Sequence, residues 1–137
     1  MNQVDETSGE MFAGIDGKLQ RLIFQSYMSR ADKVVVLLDG GLKVRAINEY
    51  GLLVLKLERE TVVGRPWLAE FVDAEARDTL REDYEELQRT GTSKPAKNEC
   101  RLRVGEGKTG MFAWQHFLVK GKLGKVEAIL SVGEDVE

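Results

Sequence analysis

The strongest constraint on this chain is the segment Val34-Val35-Val36-Leu37-Leu38, followed at once by Asp39-Gly40-Gly41 and an alternating run. An uninterrupted, β-branched stretch of this length describes a strand covered on both faces, because a half-exposed strand shows a polar residue at every second position. Asp-Gly-Gly is a tight-turn signal, since glycine admits positive φ without strain. Leu42 to Ile47 then alternates, with Leu42, Val44 and Ala46 on one side and Lys43, Arg45 and Ile47 on the other. The pattern predicts a β-hairpin.

Downstream, Asn48 is placed to cap a short apolar helix over 49–57. Gly64-Arg65-Pro66 breaks the chain ahead of an apolar patch, Trp67, Leu68, Phe71 and Val72. A longer helix is predicted from 74 to 89, with Ala76, Leu80, Tyr84 and Leu87 on one stripe, Asp73 as N-cap and Thr90-Gly91 as its end. Its charged positions form a solvated face of i, i+4 pairs. Strands follow over 99–104, 111–120 and 126–132, separated by turns at 106–110 and 121–124. Two strands, a helical excursion and a three-strand meander make an α+β domain, with an antiparallel sheet and helices on one face. Ahead of it, residues 1–17 read as a flexible lead-in. Leu19, Leu22, Ile23 and Tyr27 recur at helical spacing, which predicts an amphipathic helix over 18–31.

The chain's 137 residues suit one domain, with 42% hydrophobic and 31% charged residues. A formal charge of -3 gives no footprint for a polyanion, so no nucleic-acid partner is expected. With Cys100 its sole cysteine, the chain forms no internal disulfide. Its apolar runs fall far below the roughly 20 residues that cross a bilayer, and no signal peptide opens the sequence. A cytoplasmic location is expected, as a free protein or as the cytosolic part of a membrane-anchored parent. Lys18, Arg21 and Arg30 are too few for a membrane-surface helix, so no direct membrane contact is expected.

From about Asp32 to Glu137 the sequence resembles the PAS family, the sensory box of bacterial signalling proteins such as sensor histidine kinases and cyclic-dinucleotide enzymes. The resemblance is carried by VVVLLDGGLKVRAIN (Val34 to Asn48), ETVVGRPW (Glu60 to Trp67), the helix after Asp73, WQHFLV (Trp114 to Val119) and the terminal GEDVE. It implies a PAS domain over 32–137, with a five-stranded antiparallel sheet, short helices on one face and an N-terminal amphipathic flanking helix. Three departures stand out. Lys56 replaces a glycine that often ends the first helix, Ala76 replaces a frequent aspartate, and Glu137 replaces the threonine of a closing tripeptide.

The family's cofactors each need particular residues. Haem-binding relatives place a histidine on the long helix, because iron needs an axial donor. Residues 74–89 contain no histidine, cysteine or methionine. Covalent flavin photochemistry needs a cysteine after the Gly-Arg-Pro step, and residues 64–73 hold none. Both cofactors are therefore not expected, whereas a noncovalent flavin held by Trp114, Asn48 and Trp67 stays open. Cys100 reads as a small buried residue and His116, the only histidine, as a hydrogen-bonded structural one. There is no metal-ligand spacing, nucleophile elbow or Walker loop, so the domain is not expected to be an enzyme.

By resemblance and pattern together, the expected site is a pocket between the sheet's inner face and the helices of 49–72. Its candidate lining is Asn48, Leu52, Trp67, Phe71, Leu80, Tyr84, Leu102, Trp114, His116 and Leu130. The expected function is a sensor that binds a small ligand or cofactor there and relays the change to a C-terminal effector beyond Glu137, the chain being an excised piece of a longer protein. Leu19, Leu22, Ile23 and Tyr27 are the candidate homodimer interface. The alternatives are a ligand-free PAS dimerisation module, a noncovalent flavin redox sensor, and a small α+β enzyme with a carboxylate inside its cavity.

Overall fold

The computed structural model describes residues 25–30, 32–92, 94–120 and 126–137. Residues 1–17, Leu19, Leu22 and Ile23, and the turn expected at 121–124, lie outside them. The elements are β1 (Val34–Leu38), β2 (Val44–Ile47), α1 (Glu49–Leu55), α2 (Trp67–Phe71), α3 (Arg77–Thr90), β3 (Ala96–Arg103), β4 (Thr109–Lys120) and β5 (Val126–Asp135). Short 3-10 turns, Arg59–Thr61 and Ala74–Ala76, precede α2 and α3.

The strands form one sheet in the order β2-β1-β5-β4-β3, every pair antiparallel. β1 sits between β2 and β5, and its side chains are covered on both faces of the sheet, which explains its unbroken apolar sequence. Val34, Val36 and Leu38 point into the main core beneath the helices. Val35 belongs to a second cluster on the opposite face, with Val119, Ala128 and Leu130. Tyr27 and Met28, in a stretch helical at residues 25–28, pack against that cluster.

The β1–β2 turn closes differently from the expectation. The left-handed residue is Leu42, at φ 67°, whereas Gly40 and Gly41 keep other conformations. Asp39 explains this, because its Oδ1 accepts from the Gly41 and Lys43 amides at 2.9 and 3.0 Å and winds the turn from its own side chain. The strict alternation expected over Leu42 to Ile47 also fails. A register shift opposite Leu37 and Leu38 puts both Val44 and Ile47 in the main core.

Asn48 caps α1 as expected, its Oδ1 accepting from the Gly51 amide at 2.9 Å. Gly51 is needed there, since a Cβ would fall 2.8 Å from Ile47. The same Oδ1 accepts from Val35 N at 3.0 Å, and Nδ2 donates to the carbonyls of Arg30 and Lys33 at 3.0 and 2.8 Å. Asp73, by contrast, makes no side-chain cap; the helix it precedes opens as a 3-10 turn, and α3 proper begins at Arg77. Gly91, at φ 63°, ends α3 as expected.

Lys56 ends α1 in the left-handed region, at φ 60° and ψ 42°, with its amide bonded to Leu52 O at 2.8 Å. Lysine is strained in a backbone conformation where glycine is not. Lys56→Gly is expected to stabilise the fold by about 0.5–1 kcal/mol, read from the urea midpoint. Asn48→Asp should do the reverse, because a carboxylate would face two carbonyl oxygens in a site that is 2% exposed. A loss of at least about 3 kcal/mol in the same measurement is expected.

Candidate ligand site

The space between the sheet and the helices is occupied by aromatic side chains in mutual contact. Trp67 from α2 meets Phe71 at 5.7 Å between ring centroids and Trp114 of β4 edge-on at 6.1 Å. Trp114 stacks on His116 at 6.0 Å and 13°, and His116 meets Tyr84 of α3 at 4.9 Å. Gly133 of β5 allows this, since a Cβ there would lie 2.7 Å from the Trp114 ring. Leu52, Leu80 and Leu102 complete the same buried cluster.

Of the expected lining, Trp67, Phe71, Leu80, Tyr84, Leu102, Trp114, His116 and Leu52 do converge on this core. Leu130 does not. It faces the opposite side of the sheet with Val35 and Val119, one residue out of phase with the inward Ile129 and Ser131. Asn48 is buried nearby, but its oxygen accepts two backbone bonds and its amide nitrogen donates two. No donor or acceptor remains to hold a ligand.

His116 is hydrogen-bonded as expected, and the parts missed in the sequence are its polar partners Asn98, Ser131 and Asp83. His116 is 1% exposed, and both ring nitrogens are bonded: Nδ1 to Ser131 Oγ at 2.7 Å and Nε2 to Asn98 Oδ1 at 3.1 Å. Asn98 Nδ2 donates to the Asp83 carboxylate at 2.8 Å, and Tyr84 Oη lies 3.3 Å from Ser131 Oγ. The directions follow. Asn98 presents its oxygen to His116, so Nε2 carries the proton and Nδ1 accepts from Ser131, which in turn accepts from Tyr84. A single-sense chain therefore runs Tyr84–Ser131–His116–Asn98–Asp83, joining α3 to β3, β4 and β5. Both ends of the chain lie on α3. A signal was available: Asn98 shares the inward parity of Cys100 and Leu102, and Ser131 interrupts an apolar strand.

Burial sets the ionisation here. It lowers the His116 imidazole to about 4, raises the Tyr84 hydroxyl, and pushes the Cys100 thiol up to about 12. Cys100 is thus a buried neutral thiol. Two buried donors stand without an acceptor among the described residues, Trp114 Nε1 and Arg77 Nη2. Trp114 Nε1 faces the Cys100 thiol without a hydrogen bond of normal geometry, and Arg77 Nε donates to Val72 O at 3.1 Å.

Noncovalent flavin fits this arrangement poorly. The two tryptophans touch edge to face, so a ring between them would have to part them, and Asn48 is fully engaged. His116 could ligate an iron only by breaking a bond to Ser131 or Asn98. No group of three or more His, Cys, Asp or Glu among the described residues is arranged to hold a metal. No helix among them is long and apolar enough to cross a membrane.

This sheet order, with short helices over one face, is the fold of a PAS domain. A PAS domain from Colwellia psychrerythraea superposes with a TM-score of 0.71 at 14% identity, over 86% of this chain and 97% of that one. The PAS domain of the Cronobacter turicensis quorum-sensing receptor RpfR, in complex with BDSF, gives 0.60 at 21%, over 80% and 98%. A Rhodobacter sphaeroides LOV protein gives 0.67 at 13%, over 89% and 69%. No family model and no curated protein matches the sequence.

Because the folded-state pKa of His116 lies below its ordinary 6.5, the unfolded chain binds the extra proton between those values. Stability is then complete above pH 6.5 and falls as the pH drops toward 4, with a slope from this group approaching about 1.4 kcal/mol per pH unit. Urea unfolding at pH 7 and pH 5 should show that loss. His116→Gln, destabilised at both pH values, should show a smaller difference between them.

Proposed function

We propose that this chain is a sensory module that takes a small organic ligand into the core between α1–α3 and the sheet and passes the change to an effector elsewhere in its parent protein. The observation that carries the reading is the pair of buried donors, Trp114 Nε1 and Arg77 Nη2, with no acceptor in normal hydrogen-bond geometry among the described residues. A buried donor left unpaired costs about 1–3 kcal/mol, which a ligand oxygen would recover. The favoured ligand is thus one with an acceptor group, a carbonyl or a carboxylate. Both donors belong to the side of the core flanked by β3, since Trp114 pairs with Asn98 and Val72, which accepts from Arg77, bridges to Leu102. The same RpfR PAS domain has also been solved in complex with C12:0, so this fold accommodates molecules of that kind in another chain. The route outward is the hydrogen-bonded chain from Tyr84 to Asp83, which moves α3 with β3–β5 when the core shifts. A ligand transmits only its difference in affinity for the two states, typically about 1–3 kcal/mol.

One observation favours a second reading. The aromatic core is already closed by its own side chains, as a ligand-free PAS interaction module would require. Native mass spectrometry of the protein purified without denaturant separates the two. An adduct that is lost in Trp114→Phe, with the fold intact by circular dichroism, is the expected result. A bare polypeptide mass from every preparation would leave the ligand-free module standing.

A further inference from the structure

A depression of about 480 Å³ lies between α2 and the turn that joins β3 to β4, and Leu55 and Phe71 reach its floor. Both belong to the main core, and each is 3% exposed. Phe71 is shared by the depression and the aromatic cluster, since its ring lies 5.7 Å from Trp67, which in turn meets Trp114. Turning that ring aside would join the depression to the space around the tryptophans. The walls are lightly held. α2 has five residues, and its N-cap residue Pro66 supplies no side-chain bond, so the helix has little stability of its own. It is held from β3, where Arg103 Nη1 donates to Glu70 O at 3.4 Å and Arg101 O accepts from Asp73 N at 2.9 Å. The opposite wall is Gly105-Glu106-Gly107, with φ of 107°, 31° and 77°. That turn closes on itself through Lys108 N and Gly105 O at 2.7 Å and rests on the aliphatic stem of Lys56.

We infer, resting on the reading of the core as a ligand site, that this depression is the mouth of that site. A small molecule reaches the space around Trp67 and Trp114 by displacing Phe71, and Arg103 and the Lys56 stem hold the two walls closed. The mouth opens on the side of the core where the unpaired donors stand. Val72, next to Phe71 in the chain, bridges to Leu102 and accepts from Arg77, whose Nη2 has no acceptor among the described residues. A ligand entering past Phe71 therefore meets those donors without crossing the rest of the core. The α3 side is closed more firmly, because the bond from Asn98 to Asp83 at 2.8 Å ties the helix to β3 and continues inward through His116. Local opening is drawn from the least stable parts of a fold, and here those are α2 and the β3–β4 turn.

Cys100 reports access to this core. It is the chain's only cysteine, 4% exposed, in the same buried cluster as Phe71 and Trp114. Its thiolate displaces iodide from iodoacetamide, an uncharged probe, and the adduct is timed by intact mass while urea midpoints are measured in parallel. Lys56→Gly removes the stem behind Gly105, so it should label at least about threefold faster than wild type even though its urea midpoint rises. Arg103→Ala, at an exposed position, should also label about threefold faster with its urea midpoint unchanged. Asp83→Ala loosens the α3 side instead, and should quicken labelling only as far as its lower midpoint accounts for. Labelling that slows in Lys56→Gly would show that Cys100 is reached by global unfolding, and would overturn the mouth. So would an excess rate in Asp83→Ala with none in Arg103→Ala. Because iodoacetamide stands in for the ligand, a bare polypeptide mass would remove the ligand reading without altering these rates.

Discussion

The architecture depends on one buried amide. Asn48 stands where β2 ends and α1 begins, and its four hydrogen bonds reach three separate parts of the chain. Its oxygen holds Val35 in β1 and Gly51 in the first turn of α1. Its nitrogen holds the carbonyls of Arg30 and Lys33, which fixes where the leading segment enters β1. An amide is the only side chain that can face two donors and two acceptors at once without charge. Its burial is tolerable because each of those positions is filled. The entry direction then decides which face of the sheet receives Tyr27 and Met28, so the outer face depends on the same residue.

With β1 fixed, the inner core is organised by a second polar feature, the chain from Tyr84 through His116 to Asp83. In a purely apolar interface between α3 and the sheet, the helix could slide with little change in buried area. Directional bonds remove that freedom, because shifting α3 breaks Tyr84–Ser131 at one end and Asp83–Asn98 at the other. A fully bonded buried network is therefore a register device as well as a source of stability. The stacking of Trp114 on His116 and its close approach to Gly133 carry that register into the aromatic part of the core.

The order of elements was legible in the sequence because it depends on local signals. The apolar run at Val34 to Leu38, the Gly-Arg-Pro break and the stripe of Leu80, Tyr84 and Leu87 each appear where the pattern placed them. Which face a residue takes was harder to read. In β1 no polar residue marks the phase, and in β5 the buried Ser131 points inward, so a reading that sends polar residues outward puts Leu130 on the wrong side. The turn after Asp39 misled for a different reason. Glycine permits positive φ but does not require it, and the Asp39 side chain moved the left-handed position to Leu42. The polar chain joins residues on α3 and three strands, so only the pairing of β3, β4 and β5 brings it together.

Lys56 shows how a departure from the family pattern becomes intelligible in the structure. The left-handed conformation expected of a glycine is kept, and lysine adopts it at the cost of some strain. Its aliphatic stem runs against Gly105, whose missing side chain leaves the room: a Cβ there would lie 3.1 Å from the Lys56 stem. Its amine stays clear of ion pairs among the described residues, beside the exposed Leu53 and Leu57. A glycine would relieve the backbone but lose the packing of that stem against Gly105.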